Sequence, residues 1–336
     1  MDFESVTEVE KEQYLEGKKT NSAMKIAGLF FFLVMILEVP LSFFIIAIGS
    51  VLPKEYNVLV SILITQGYLL VCGFLYVVIT KQSLGKDLMI RKYKISSFFL
   101  SLVLLLCASP MASWLNLLSQ FFAKNEISNS IYEITKVIPM WLGIAIIGCL
   151  PGFIEEVLFR GVMYSAFRKR SILTGIVVSA LTFGLMHMNF NQIMYAVYLG
   201  VIFALVVEAT GSLSSSMFLH MLFNAFNTAY VYILPKLYEL LGRYFPAYAD
   251  IDMDEMMNAT VTKQDILSSL LVITPTAFIG LFLTILLIRV IARMNGREIS
   301  WKHICGNKDE VRQTKPWNVP LILGCAFCVL IAIGNL

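Results

Sequence analysis

Long apolar runs separated by short polar connections make up most of the chain. A helix needs about 20 mostly apolar residues to cross the hydrocarbon core of a bilayer. The candidate spans are Met24–Leu52, Tyr56–Thr80, Ile95–Phe122, Ile138–Tyr164, Ile172–Met188, Gln192–Ala209, Leu213–Leu234, Ile266–Met294 and Asn318–Leu336. The pattern therefore predicts an all-α, polytopic membrane protein with about eight to nine transmembrane helices.

The spans are expected to form one unit, because no internal repeat or low-complexity tract divides them. Residues 1–23 are predicted to be a polar head, and residues 24–336 a single integral membrane domain. The longest polar connection, Pro235–Asp265, is predicted to be the largest excursion from the membrane. Its role does not follow from the sequence.

The basic residues predict how the chain is oriented. Lys and Arg concentrate in alternate connections, among them Lys81–Lys94, Arg168–Arg170 and Arg289–Lys315. Cytoplasmic connections of membrane proteins carry such an excess, so we expect a multi-pass protein of the cell membrane with a cytoplasmic head. The turn at Gly211 is an exception, since it should be cytoplasmic and carries no basic residue.

Composition narrows the kind of partner. Hydrophobic residues make up 58% of the chain, charged residues 15%, and the net charge is +3. The lipid bilayer is therefore the expected surrounding, and this small positive charge gives no reason to expect nucleic acid.

Two adjacent carboxyl groups lie inside the fourth apolar run. An ionised group at the centre of a membrane helix costs about 2.5–3.5 kcal/mol on insertion scales, so it should be paired or functional. Glu156 and Arg160 are four residues apart and can pair on one helix face. Glu155 points about 100° away and lacks that partner. We therefore expect Glu156 to be structural and Glu155 to be available for chemistry. Glu155 follows Pro151-Gly152, where the helix is expected to break or restart.

Two of the three histidines lie in later apolar runs, where they can reach the acid. Glu155 and His187 are each about 15 residues from the basic turn at Arg168–Arg170, which puts them at one depth on antiparallel helices. His220 lies closer to its own turn, so the helix ends must be staggered for it to join them. Asn224 follows His220 by four residues and projects from the same face.

These residue types can hydrolyse an amide. A carboxylate and an imidazole at one depth can hold and deprotonate a water molecule. A second imidazole and a carboxamide can donate hydrogen bonds to the oxyanion of a tetrahedral intermediate.

The motifs Glu-Glu-x-x-x-Arg, Phe-x-x-x-His and His-x-x-x-Asn occur in that order on separate apolar runs. In this respect the chain resembles the CPBP (Abi/CAAX protease-like) intramembrane proteases, which include the type II CAAX prenyl endopeptidases. The resemblance covers about residues 138–230 and implies an all-helical protease core. It implies that Glu155 is the base with His187, that His220 and Asn224 form the oxyanion hole, and that Glu156 and Arg160 support them.

The resemblance leaves the cofactor and the substrate open. Members are often described as metalloproteases, and Glu155, His187 and His220 could be three ligands of a zinc ion. Because the helical His-Glu-x-x-His pattern is absent, we favour a metal-free mechanism. The expected substrate is a membrane-embedded or membrane-proximal peptide or protein, and a prenylated CAAX protein is only one candidate.

Two other functions are compatible with the pattern. One is a non-catalytic Abi-type interaction or immunity protein of the same fold, which would tolerate loss of Glu155. The other is a proton- or ion-coupled transporter with a Glu/His relay, which would be expected to show repeated halves. No such repeat is visible.

Overall fold

A computed structural model describes residues 8–248, 251–259, 261–305 and 315–335. Within these ranges the chain is helical and has no strand. The α-helices are α1 (Glu8–Gly49), α2 (Asn57–Thr80), α3 (Ile95–Ser119), α4 (Glu126–Thr135), α5 (Met140–Gly143), α6 (Leu150–Glu156), α7 (Ser165–Arg168), α8 (Ile172–Leu185), α9 (Phe190–Thr210), α10 (Leu213–Tyr244), α11 (Met253–Asn258), α12 (Lys263–Met294), α13 (Trp301–Cys305) and α14 (Val319–Gly334).

Seven candidate membrane spans are found in the part of the chain that the structure describes. They comprise α1, α2, α3, α9, α10, α12 and the continuous segment Met140–Arg168, which we call the composite span. The two remaining apolar helices are shorter: α8 has 14 residues and α14 has 16. Each predicted span corresponds to one of these apolar helices, so the all-α, polytopic membrane fold is confirmed.

The composite span contains two π-helical turns. Ile144–Cys149 and Val157–Tyr164 are π-helical, and the α-helix α6 lies between them. Pro151 sits in the first turn of α6, where a missing N–H is tolerated. The chain therefore restarts as an α-helix beside Pro151 and does not break there, in agreement with the second of the two predicted alternatives. π-Helical turns are rare and are frequently found at functional sites.

Glycines let α10 approach the composite span closely. A Cβ atom added at Gly152 would lie 2.6 Å from the backbone nitrogen of Met221, and one at Gly148 would lie 3.0 Å from the Cα atom of Ala225. Small residues at membrane helix interfaces allow such contact between backbones. The approach places the His220 turn of α10 beside the acidic pair of α6.

The turn between α9 and α10 is buried inside the protein. Ser212, Leu213 and Ser216 are fully buried, and the backbone N–H of Leu213 donates to the carbonyl oxygen of Met89 at 2.8 Å. Because α10 begins inside the protein, His220 reaches the depth of the acidic pair although it is only seven residues from Leu213. This recessed turn provides the offset between helix ends that His220 needs in order to lie at the depth of Glu155.

Basic groups reach the recessed turn from other segments. Glu208, near the end of α9, accepts two hydrogen bonds from Arg168 at 2.7 and 2.8 Å and one from Arg297 at 2.9 Å. The guanidinium group of Arg297 also lies against Gly211. The turn therefore has basic neighbours although its own sequence has none.

The predicted polar excursion, Pro235–Asp265, begins within a helix. Helix α10 continues through Pro235 to Tyr244, and with 32 residues it is longer than the hydrocarbon core of a bilayer, so the excursion stays a prediction. Proline is accepted inside a membrane helix when the freed backbone group finds another partner.

The head is also helical where it is described, because α1 runs without a break from Glu8 past residue 23. The proposed domain limits stay a prediction.

Replacing Gly152 with alanine tests the close approach of α10. The new methyl group must displace the backbone at Met221, and overpacking of this kind costs about 1–3 kcal/mol. We expect a lower midpoint of thermal unfolding in detergent for Gly152→Ala. The control is Gly67→Ala in α2, where an added Cβ meets no atom within 4 Å. Equal midpoints for the two variants would contradict the contact.

Candidate active site

Glu155 is buried at the end of α6 and has a partner from another span. Its Oε1 atom accepts a hydrogen bond from Nε2 of Gln66 in α2 at 3.2 Å. Its Oε2 atom faces Nε2 of His220 in α10 at 3.8 Å, which is too long for a direct hydrogen bond. The side chain of Glu155 is 8% exposed. The two oxygens of one carboxylate are thus directed to two different helices.

Glu156 and Arg160 form a fully buried ion pair. Nη1 of Arg160 donates to Oε1 of Glu156 at 2.7 Å, and neither side chain is exposed. Nδ1 of His220 lies 3.1 Å from the same oxygen. A carboxylate can only accept, so this contact makes Nδ1 of His220 a donor. The pair expected from the four-residue spacing is present, and it also holds the histidine of α10.

Aromatic rings cover the remaining faces of this pair. The guanidinium carbon of Arg160 lies 4.4 Å from the ring centre of Phe183 and 5.3 Å from that of Phe203. The Nε and Nη2 atoms of Arg160 have no hydrogen-bond partner among the described residues. Cations over aromatic faces are stabilised by the ring quadrupole, most strongly where water is excluded. His220 stacks on Phe203 with ring centres 5.1 Å apart.

His187 lies on the turn after α8, close to the other groups. Its Nδ1 atom is 2.9 Å from the carbonyl oxygen of Phe183, which accepts a hydrogen bond from it. This bond places the proton on Nδ1 and leaves Nε2 as an acceptor when the ring is neutral. The ring meets Phe183 edge to face at 5.3 Å, and Phe183 meets His220 in the same way at 5.4 Å. One phenyl ring therefore contacts both imidazoles.

Two further contacts hold the turn that carries His187. Met188 adopts a left-handed backbone with φ +47°, which reverses the chain toward α9. The side chain of Asn189 caps α9 by accepting from the N–H of Asn191. Asn335, just after α14, donates to the carbonyl oxygen of Met188 at 3.1 Å. The turn is therefore fixed from both sides.

Asn224 is half-buried, one helical turn after His220 on α10. The structure gives its carboxamide no hydrogen bond to any residue that it describes. The amide N–H groups of Asn224 are therefore available to an outside acceptor. All six predicted site residues lie on the composite span, on α10 or on the turn after α8.

The described side chains do not form a metal site. In the ranges that the structure covers, no group of three His, Cys, Asp or Glu residues is arranged to hold a metal ion. The Nδ1–H groups of His187 and His220 are directed to Phe183 and Glu156, an arrangement that metal-free and metal-bound histidines share, so these bonds do not decide between the two mechanisms. The metal-free mechanism therefore stays a prediction.

Gln66 is the site residue that sequence reasoning missed. It is a single amide in the middle of the apolar run Tyr56–Thr80, and it is buried in the structure. The available signal was that one polar side chain inside a membrane span usually faces other protein groups. It was missed because α2 lies outside the segment that carries the three motifs.

The buried ion pair gives a stability test. Removing one partner of such a pair leaves an uncompensated charge and costs about 3–5 kcal/mol. We expect Arg160→Met to be strongly destabilised, and Glu156→Gln in the same chain to restore most of the loss, as measured by thermal unfolding in detergent. The control is Arg243→Met, which breaks an exposed pair of the same spacing with Glu239. An Arg160→Met protein as stable as Arg243→Met would exclude this role.

Comparison with known families places this geometry in context. Residues 137–226 match the family model described as "Rce1-like: Type II CAAX prenyl endopeptidase Rce1-like". No curated protein and no solved structure matched the chain. The matched segment begins just before α5 and ends within α10, so it contains all six predicted site residues but not Gln66. The resemblance to the CPBP proteases is thereby confirmed, and the chain carries a domain of the Rce1-like, type II CAAX prenyl endopeptidase family.

Proposed function

We propose that the protein is an intramembrane endopeptidase that cleaves peptide bonds with a water molecule activated by Glu155. The family match supports a CAAX-type intramembrane protease at the level of the family. The observation that carries the proposal is the placement of Glu155. Its carboxylate is buried, is not used in the ion pair beside it, and faces His220 across 3.8 Å.

The separation between Glu155 and His220 suits a bridging water. One water oxygen can lie about 2.8 Å from both Oε2 of Glu155 and Nε2 of His220, since hydrogen bonds have this length. Such a water donates one hydrogen to the carboxylate. The Nε2 atom of His187, left as an acceptor by its bond to Phe183, can take the other. The water is then held with a lone pair free to attack.

Hydrolysis follows from these positions. Glu155 takes a proton from the water, the water oxygen bonds to the carbonyl carbon, and the electron pair of the C=O double bond moves to oxygen. The amide N–H of Asn224 stabilises that oxyanion together with the Nε2–H of His220, which is present when His220 is an imidazolium because its Nδ1–H is bound to Glu156. When the intermediate collapses, the C–N bond breaks and the proton held by Glu155 passes to the leaving amine. Glu156 and Arg160 hold His220 in place.

We propose a membrane-embedded or membrane-proximal peptide as the substrate, with the lipid bilayer as the surrounding and nucleic acid playing no part. The description of the matched family makes a carboxyl-terminal peptide with a prenylated cysteine the first substrate to test. The proposed location is the cell membrane, with the amino terminus in the cytoplasm. The alternation of basic connections supports that orientation.

Removing the base is the direct test of activity. Glu155→Gln keeps the size of the side chain but cannot take a proton, and general base catalysis is worth about 10²–10⁴-fold. We expect a loss of that size in kcat for cleavage of a fluorogenic, prenylated peptide by protein in lipid nanodiscs. The matched control is Glu298→Gln, an exposed carboxyl outside the spans, which should cleave at the wild-type rate.

Two outcomes would contradict the protease. If the Glu155→Gln protein is folded and cleaves at the wild-type rate, Glu155 is not the general base. A wild type that cleaves neither the prenylated peptide nor membrane peptides, while Glu155→Ala still restores a deletion phenotype, would support the non-catalytic interaction protein instead.

Metal removal tests the metal-free mechanism. Because the three proposed ligands are not arranged around a common point, we expect cleavage to persist after dialysis against a strong chelator. The measurement is kcat/KM before and after dialysis, with the metal content determined on the same samples. Activity that disappears with the metal and returns with added zinc would overturn this part of the proposal.

A further inference from the structure

Gln66 is a buried amide that reaches the proposed base from outside the matched domain. It lies on α2, whereas the family match begins at residue 137. We propose that Gln66 is part of the active site: its amide N–H holds the Glu155 carboxylate, and its amide oxygen binds a backbone N–H of the substrate peptide. This inference rests on the proposed protease function.

The contact with Glu155 fixes which way the amide points. Nε2 of Gln66 donates to Oε1 of Glu155 at 3.2 Å, and the reversed amide would bring two acceptor oxygens together. Because Oε1 of Glu155 is held in this way, Oε2 is turned toward His220. Gln66 therefore selects the carboxylate orientation that the bridging water requires.

The other end of the amide is left without a partner. Oε1 of Gln66 is buried and has no hydrogen bond in the part of the chain that the structure describes. A buried acceptor without a donor is unfavourable, and leucine or methionine at this position would avoid that loss. An unsatisfied acceptor beside a proposed catalytic base is therefore best explained by a donor that arrives with the substrate.

A peptide in the membrane brings the required donor. Outside regular secondary structure, each backbone N–H of the peptide needs an acceptor, because hydrocarbon supplies none. A peptide in an extended form presents such N–H groups on either side of the scissile bond. The amide oxygen of Gln66 can accept one of them close to Glu155. The structure thus assigns Gln66 both a positioning and a substrate-contacting role.

The test compares variants of Gln66 on two kinds of substrate. One peptide has all its backbone N–H groups, and the others each carry one N-methyl group at a position flanking the scissile bond. On the unmodified peptide, Gln66→Leu is expected to lose about 10- to 100-fold in kcat/KM, because one hydrogen bond and the orientation of Glu155 are lost together. Gln82→Leu, the same change beyond the end of α2, is the control and should retain the wild-type value.

The N-methyl peptides separate a substrate contact from a structural effect. For the wild type, one N-methyl position is expected to lower kcat/KM about tenfold. For Gln66→Leu the same position should cause no further loss, because the acceptor is already gone. A structural role alone would give equal losses for both proteins, and that result would overturn the inference.

The remaining outcomes are also decisive. Gln66→Leu removes the buried unsatisfied oxygen but also the donor to Glu155, so we expect these opposing effects to leave its unfolding temperature close to that of the wild type. If Gln66→Leu is folded and cleaves normally while Glu155→Gln is inactive, the protease stands and the inference falls. If the wild type cleaves no peptide, the proposed function and the inference fail together.

Discussion

The site is organised around the fully buried ion pair between Glu156 and Arg160. Neither charge is exposed to solvent, so each is tolerable only while the other is in place. The pair does more than neutralise itself, because the same oxygen of Glu156 binds His220. A contact within the composite span thereby fixes a side chain of α10. Glu155, which precedes Glu156 in the chain, faces the same histidine across 3.8 Å and takes no part in the ion pair.

Close backbone packing makes this arrangement possible. Gly148 and Gly152 leave no side chain between the composite span and α10, so the imidazole can reach the carboxylates of α6. The recessed turn before α10 sets the depth of that histidine, and Glu208 with its two arginine partners anchors the same turn. The position of His220 beside the carboxylates of α6 thus depends both on the close packing at the glycines and on the anchored turn before α10.

The sequence predicted the helices well because the bilayer leaves few alternatives. Each apolar run becomes a helix, since hydrocarbon offers no partner to an open backbone. The Glu156–Arg160 contact also followed from spacing, because both residues are on one helix. The position of His220 could not be predicted, because it depends on how deeply the Gly211 turn is buried. The same holds for the Gln66 contact, because it joins two spans that are distant in the chain.

Two prolines show how neighbouring helices support a membrane helix. Proline removes a backbone donor and disfavours a helix interior, so a break or restart was expected at Pro151-Gly152. In the structure each proline is part of a continuing helix, Pro151 after a π-helical turn and Pro235 within α10. Neighbouring helices hold both segments in place. Local sequence rules do not include that tertiary contribution.

The short helices α8 and α14 have a consequence for the lipid around the protein. With 14 and 16 residues they extend about 21 and 24 Å, against about 30 Å for the hydrocarbon core. Both end at the turn that carries His187, where Asn335 binds Met188. Thinning of the bilayer is one way in which such a mismatch is accommodated, along with flanking polar residues and association of helices. If the bilayer thins around α14, head groups and water come closer to the turn of His187, and the proposed hydrolysis consumes water at that place.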